Sequence, residues 1–324
     1  FAVPQHALEE YGQEWITPPN IVCSGPFLLD SGEPGKMMVL VRNPDFCGAR
    51  SGNLERVELT PLSAIDPDCR LDAYSTGQID AMNIPSLMLL DLCHQLFPDE
   101  WHESPFAYTE FLSFNTSRPP FDDVRVRRAF AHALDRQTLT DLILHGIVPP
   151  GTGGFIPLGL PGHSPGIGIP YNPGEGRRLL AEAGYPTGQG FPEIDDCFLH
   201  RRISVGDFVV SQWRENLGVD VKSRKPHSSD ELWDRLNNDN PLIYEIGWIA
   251  DHQDPDTFLR VGLSRHQSLS FDPEYSRLLE MARRSQSLNE RLKIYQAADR
   301  LLTESARIIP LNYGRQNKFI RPWV

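Results

Sequence analysis

The chain has 324 residues, 40% of them hydrophobic, with a formal net charge of −12 and a pI near 5.3. That length supports two domains and a sizeable core, and the acidic balance excludes a general nucleic-acid surface, which needs a dense basic stripe against phosphates. No uninterrupted apolar run approaches membrane-spanning length, and the first residues carry no charged-then-apolar signal pattern. Cys23, Cys47, Cys69, Cys93 and Cys197 are scattered, which fits neither a disulfide framework nor a paired metal or redox site. The histidines lack zinc-type spacing, so no metal and no cofactor is expected.

The start, Phe1-Ala2-Val3-Pro4, reads as the middle of a longer protein. Residues 21–30 and 37–43 read as two strands joined through Gly32, Pro34 and Gly35, the first interrupted at Ser24-Gly25-Pro26 by a bulge or close backbone approach. Residues 54–60 alternate as a strand, followed by a helix with Asp66 as cap, Pro67 first and Gly77 at its end. A short strand at 79–84 and a helix at 85–96, with Leu87, Leu90 and positions 92–93 apolar, complete a βαβα run that implies a parallel or mixed sheet. Residues 98–110, with Pro98 and Pro105, read as a connection between domains.

The second half is richer in helix signals. A strand at 111–115 leads to a helix capped by Asp122 or Asp123, with Val126, Ala129, Phe130, Ala133 and Leu134 at helical spacing. Its Arg125, Arg127 and Arg128 read as a solvated face balanced by those acids. Asp135 starts a further helix that ends at Gly146. Residues 151–170 are rich in glycine and proline, lack the Gly-Lys-Ser/Thr ending of a phosphate loop, and read as a wrapping surface loop. Asn172 caps a helix closed by Gly184; 208–217 is a helix with Trp213 inward; 219–222 is a strand; Ser228 or Ser229 caps 230–236. Residues 242–248 form a short apolar strand, followed by Asp251, His252, Asp254 and Asp256 around Pro255. Asp254-Pro255 makes a turn with Asp254 as cap. In an open α/β sheet, acids and a tryptophan just past a strand's carboxyl end read as a ligand site. Amphipathic helices at 273–285 and 290–305 precede a returning strand at 307–313.

The segment FNTSRPPFDDVRVRRAFAHALDR resembles the hallmark of the family 5 extracellular solute-binding proteins, the dipeptide, oligopeptide and nickel binding proteins of ABC importers. YNPGEGRRLLAEAGY, GWIADHQDPDTFL and DPEYSRLLEMA are similar to further motifs of that family, and upstream VPQHALEEYG, SGPFLL, RNPDF, ERVEL and GQIDA follow in the family's order. The resemblance implies an α/β fold of the type II periplasmic-binding-protein kind with two lobes, lacking here the N-terminal segments of the first lobe and the small inserted domain. It places 1–107 with 312–324 in a partial first lobe and 108–311 in the second.

The resemblance also implies a role for Asp251: in peptide-binding members the aspartate of GW-x-AD pairs with the ligand's α-ammonium group. Trp248 then lines the pocket, with Gly247 of the same motif beside it, while His252 stands where the family often has Tyr or Asn. Arg201 and Arg202 lie near the region where some dipeptide binders place a carboxylate-anchoring arginine, although the local sequence departs from the family and at least one of them reads better as a surface residue. Tyr313, on the returning strand, is a further cleft candidate.

The implied function is binding of a peptide or similar small solute for a membrane permease, by a monomeric protein outside the cytoplasmic membrane, periplasmic or extracellular and anchored. An alternative is the ligand-sensing domain of a larger cytoplasmic transcriptional regulator. Catalysis finds no support: there is no nucleophile elbow or cofactor fingerprint, and the adjacent acids Asp122-Asp123 and Asp195-Asp196 read as caps or turns.

Overall fold

The computed structural model describes residues 3–17, 20–33, 35–49, 52–61, 67–83, 89–197, 203–223, 228–239, 241–263 and 272–324. The chain divides into two compact units, 1–102 with 317–324, and 103–316.

In the first unit α1 (Gln5–Tyr11) precedes an antiparallel meander of β1 (Phe27–Gly32), β2 (Met38–Arg42) and β3 (Arg56–Leu59). The expected strand at 21–30 begins only at Phe27. Asn43 draws the preceding turn into a loop, its backbone N–H donating to the Pro26 carbonyl and its amide to that of Gly25. The bulge lies between Leu29 and Ser31 rather than at Gly25. Next come α2 (Pro67–Ser75), β4 (Ala81–Asn83) and α3 (Leu90–Leu96), whose Leu90 and Cys93 are buried while Leu92 is exposed. β4 pairs antiparallel with Lys318–Ile320. Of the parallel or mixed sheet expected here, it is the mixed form that is found, with β4 antiparallel to its neighbour in a sheet that also holds parallel pairs. The expected cap Asp66 and helix residue Leu87 lie outside the described residues. Leu71, Tyr74, Met82, Cys93 and Phe319 form the core, and Arg321 lies over the Tyr74 ring at 4.2 Å while pairing with Glu100 at 3.1 Å.

The second unit is built on β5 (Trp101–Phe114) and β9 (Ile308–Ile320), which carry the chain in and out of it. Residues 98–110, read from sequence as a connection, are largely strand. Pro105 is tolerated because β5 pairs with β8 (Ile243–Ile249) only from Tyr108 onward, so the missing N–H removes no bond on that side. The sheet continues through β6 (Ile194–Cys197), parallel to β8, and β7 (Val221–Ser223), parallel to β6. Asp195 and Asp196 accordingly lie on a strand and not in a cap or turn.

The helices start where capping chemistry puts them: α4 (Val124–His132) on Asp123, α5 (Arg136–Thr138) on Asp135, α6 (Pro173–Glu182) on Asn172, each side chain accepting a backbone N–H of the first turn. α5 runs on into a π-helical turn at Leu139–Ile143. α7 (Ile203–Leu217) stops at Gly218, whose φ of +71° is the left-handed conformation a helix end needs. α8 (Ser229–Asn238) is capped by Ser228, α9 (Pro273–Arg284) by Asp272 and α10 (Leu288–Glu304) by Ser287. Each such cap contributes about 1 kcal/mol.

The two faces of the sheet bury separate cores. One holds Phe111, Phe155, Tyr244, Phe258 and Tyr295. On the other, Phe114 stacks on Phe121, Phe130 meets Phe121 edge-on, and Trp213 packs tilted against Phe130 with its indole N–H donating to the Phe130 carbonyl at 3.0 Å. Two sequence readings need correction here. Arg127 is not on a solvated face: it is buried, and its guanidinium donates to the carbonyls of Phe121, Asp122 and Ser305, which satisfies it without a carboxylate. Residues 151–170 are not a surface loop either, since Phe155 and Ile156 are fully buried in the core.

Candidate functional site

Alternation along β8 decides what its end can present. Tyr244, Ile246 and Trp248 pair with Ser113, Phe111 and Thr109 on the face of the Phe111 core, while Glu245 and Gly247 pair with Leu112 and Glu110 on the other. Trp248 is half-buried and packs on that core. Its indole lies where a Cβ on Gly262 would stand, about 3.0 Å away, so Gly262 is what lets the turn Thr257–Gly262 close over the ring.

Thr257, fully buried at the start of that turn, is the hub of the loop. Its hydroxyl oxygen accepts from the Trp248 indole N–H at 3.4 Å and from the Asp251 backbone N–H at 3.2 Å. Behind it the other acids are engaged. Asp254 accepts from the Asp256 backbone N–H at 2.9 Å, as a cap should, and also binds Arg291 of α10 in a two-pronged ion pair at 2.6 and 2.8 Å. Asp256 accepts from Arg260 at 2.8 Å and from the Tyr295 hydroxyl at 3.1 Å. Burial pushes the Asp256 carboxyl up, but the Arg260 and Tyr295 hydrogen bonds outweigh it and hold it below the usual carboxylate value. Burial, with the Asp256 charge behind it, pushes Tyr295 up to about 12.

Asp251 is different. It is exposed, its backbone is pinned, and no side chain among the described residues forms a hydrogen bond or ion pair with its carboxylate. His252 is exposed beside it, and its carbonyl accepts from the Asp254 N–H at 2.8 Å. The loop therefore offers one uncommitted carboxylate on a fixed backbone, a group suited to a cationic ligand atom. Among the described residues no cluster of His, Cys, Asp and Glu is arranged to hold a metal ion.

Trp248, Asp251 and His252 are thus brought together with Gly247, but the remaining candidates are not. Tyr313 is buried, its hydroxyl donating to the Gly154 carbonyl at 2.7 Å and accepting from the Gly153 N–H at 3.0 Å, so it anchors residues 153–154 instead of presenting itself to a ligand. Burial raises its hydroxyl above the ordinary tyrosine value. Arg201 and Arg202 lie outside the described residues.

Two residues beside Gly247 escaped the sequence reading. Tyr108 lies across Gly247, its hydroxyl oxygen 2.1 Å and its ring carbons 2.3–2.4 Å from where a Cβ would be, and Glu110, opposite Gly247, accepts from the Asn312 amide at 2.6 Å. The signal was the alternation of Phe106, Tyr108 and Glu110 along one strand, hidden because Pro105 marked the segment as a connection.

Comparison with known proteins gives this geometry a family. Residues 1–268 match the bacterial extracellular solute-binding proteins, family 5 Middle. The chain is 28% identical over 342 residues to the periplasmic oligopeptide-binding protein OppA of Escherichia coli (strain K12), covering 99% of this chain and 61% of that protein. Among solved structures it resembles a periplasmic oligopeptide-binding protein (OppAIV) from Borrelia burgdorferi, with a TM-score of 0.69 at 28% identity over 99% of this chain and 64% of that one. It also resembles the Escherichia coli murein tripeptide binding protein MppA, with a TM-score of 0.70 at 26% identity over 100% of this chain and 64% of that one. The chain thus spans less than two thirds of the length of these relatives, and its α/β fold is that of the type II periplasmic binding proteins. With its motifs in family order and the greater part of its length matched, the chain belongs to the family 5 bacterial extracellular solute-binding proteins.

Proposed function

We propose that this chain is the solute-binding component of an ABC importer, capturing a peptide or similar small solute and pairing the ligand's amino group with Asp251. The observation that carries the reading is the division of labour in the loop: Asp254 and Asp256 are tied to Arg291, Arg260 and Tyr295, whereas the Asp251 carboxylate is exposed and unengaged among the described residues. An ammonium–carboxylate contact shielded from water is strong, and costly when one partner is absent, which selects ligands with a free amino end. The peptide-binding names of the relatives support the same ligand class.

In this reading Gly247 and Trp248 shape the wall next to the anchor, His252 contributes a polar edge, and Arg202 is a candidate for the ligand's carboxylate end. Residues 1–107 with 312–324 belong to one lobe and 108–311 to the other. The partner is a membrane permease, the protein works as a monomer, and the compartment is the periplasm or its extracellular equivalent. A thermal-shift screen of the whole encoded protein against mixed di- to pentapeptides, with Asp251→Ala as the paired variant, tests it. Peptides are expected to raise the melting temperature of the native protein and to leave the variant's nearly unmoved. Equal shifts in both proteins contradict the anchor, and no shift with any peptide contradicts the ligand class.

A further inference from the structure

The Asp251 carboxylate has no side-chain partner among the described residues, so its place is set by the loop it stands on, and that loop is held from outside by α10. Arg291 reaches Asp254 with two N–H···O contacts of 2.6 and 2.8 Å, and the two side chains are only 25% and 21% exposed. The other ion pair of the helix, Arg300 with Glu304, stays within α10 and is more than half exposed. One turn on from Arg291, the Tyr295 hydroxyl donates to Asp256 at 3.1 Å, and the Arg291 guanidinium lies 5.1 Å over the Tyr295 ring. Pro255, between the two acids, packs against Gly162, where a Cβ would stand 3.1 Å from the proline Cγ and 3.6 Å from Leu292 of α10.

A short path joins this grip to the candidate anchor. The Asp254 carbonyl accepts the Thr257 backbone N–H at 3.2 Å, and the Thr257 hydroxyl accepts the Asp251 backbone N–H at 3.2 Å. Arg291 is itself committed to Asp254 and to the Tyr295 hydroxyl, at 3.4 Å, so whatever it does for a ligand it does through the loop. The pairing also sorts the charges. Asp251, Asp254 and Asp256 are close in sequence, and with Arg291 on Asp254 and Arg260 on Asp256 the carboxylate left without a counter-charge among the described residues is that of Asp251. A ligand ammonium then meets an acceptor in one place instead of three competing ones.

We infer that Arg291 is a positioning residue for ligand recognition: by fixing Asp254 it holds Asp251 where a ligand's amino group meets it. The inference rests on Asp251 being the amino anchor, and adds the residue on which the anchor's placement depends. A recognition group fixed before binding has less freedom to lose on binding, and that is how Arg291 contributes affinity.

Arg291→Met, which keeps the apolar stem, and Arg291→Lys, which keeps the charge and loses the fork, test it in the whole encoded protein. Without ligand, amide exchange over 251–257 should speed about fivefold or more in Arg291→Met and less in Arg291→Lys, while exchange in β5 stays as in the native protein and so reports an intact fold. In calorimetric titration with one bound peptide and its N-acetylated form, Arg291→Met should weaken the free-amino peptide about tenfold and the acetylated one by less than about twofold, with Arg291→Lys between. In an Asp251→Asn background Arg291→Met should add little, because it acts through Asp251. A pair that served stability alone would weaken both peptides alike. Unchanged exchange over 251–257, or equal losses for the two peptides, overturns the proposal and leaves Asp251 as the anchor. If the native protein binds both peptides equally, the anchor reading itself fails and the proposal falls with it.

Discussion

Asp299 places a carboxyl group inside the packing face of α10, fully buried, where it accepts the backbone N–H groups of Phe155 at 2.7 Å and Ile156 at 3.4 Å. Burial pushes it up to about 7, against which those two hydrogen bonds pull down. The sign of the linkage follows. The folded state holds the proton more tightly than the unfolded chain, so the group's contribution is fully present below about pH 4 and is lost as pH rises to about 7, with a slope of up to about 1.4 kcal/mol per pH unit. Asp299→Asn should flatten this window, measured by urea denaturation at pH 5 and pH 7.5; an identical pH dependence in both proteins contradicts the assignment. The neighbouring Gly154 has no room for a side chain, since a Cβ would lie 2.0 Å from Asp299 Oδ2. Gly154→Ala should therefore cost about 1–3 kcal/mol in the same assay, and a neutral effect contradicts the close approach. Neither residue was legible in the sequence. Asp299 sits between Ala298 and Arg300 as any helix-surface acid does, and its partners lie more than 140 positions away.

At the scale of elements, what was legible is what is local. The starts of α4, α6 and α8 follow from Asp123, Asn172 and Ser228, because a cap bonds to its own first turn. The strand at 242–248 and its polar exit were readable for the same reason. Residues 151–170 were not, since Tyr313, Asp299 and Thr109 hold them from distant parts of the chain. β5 was misread because a proline argues against strand only where its N–H is needed. The loop after β8 shows how an element fixes a site: Thr257 joins Trp248 to the Asp251 backbone. Thr257→Val keeps the shape and removes the acceptor of the Asp251 backbone N–H and the Trp248 indole N–H. It should cost about 1–3 kcal/mol and speed amide exchange at Asp251. Unchanged stability and exchange would contradict Thr257's role as the hub.

For the molecule as a whole, family motifs in order disclosed the fold class before any geometry, and the lobe boundaries they imply, 107/108 and 311/312, stand about five residues from the changeover of the compact units. The compact units change over at 102/103 and 316/317, inside β5 and β9, where a strand runs on without any break in composition. The 324 residues span 61% of the oligopeptide-binding relative from Escherichia coli. Binding should nevertheless register on the whole protein: a ligand at 100 times its Kd adds about 2.7 kcal/mol to stability. The central claim, that Asp251 holds a ligand's amino group, is tested most directly by calorimetric titration of one bound peptide and its N-acetylated form against the native protein and Asp251→Asn. Acetylation and the substitution should each weaken binding about 10- to 100-fold, and the two together little more than either alone, because both remove the same ion pair. If acetylated peptide binds the native protein as tightly as the free-amino form, or if the two losses simply add, Asp251 is not the anchor.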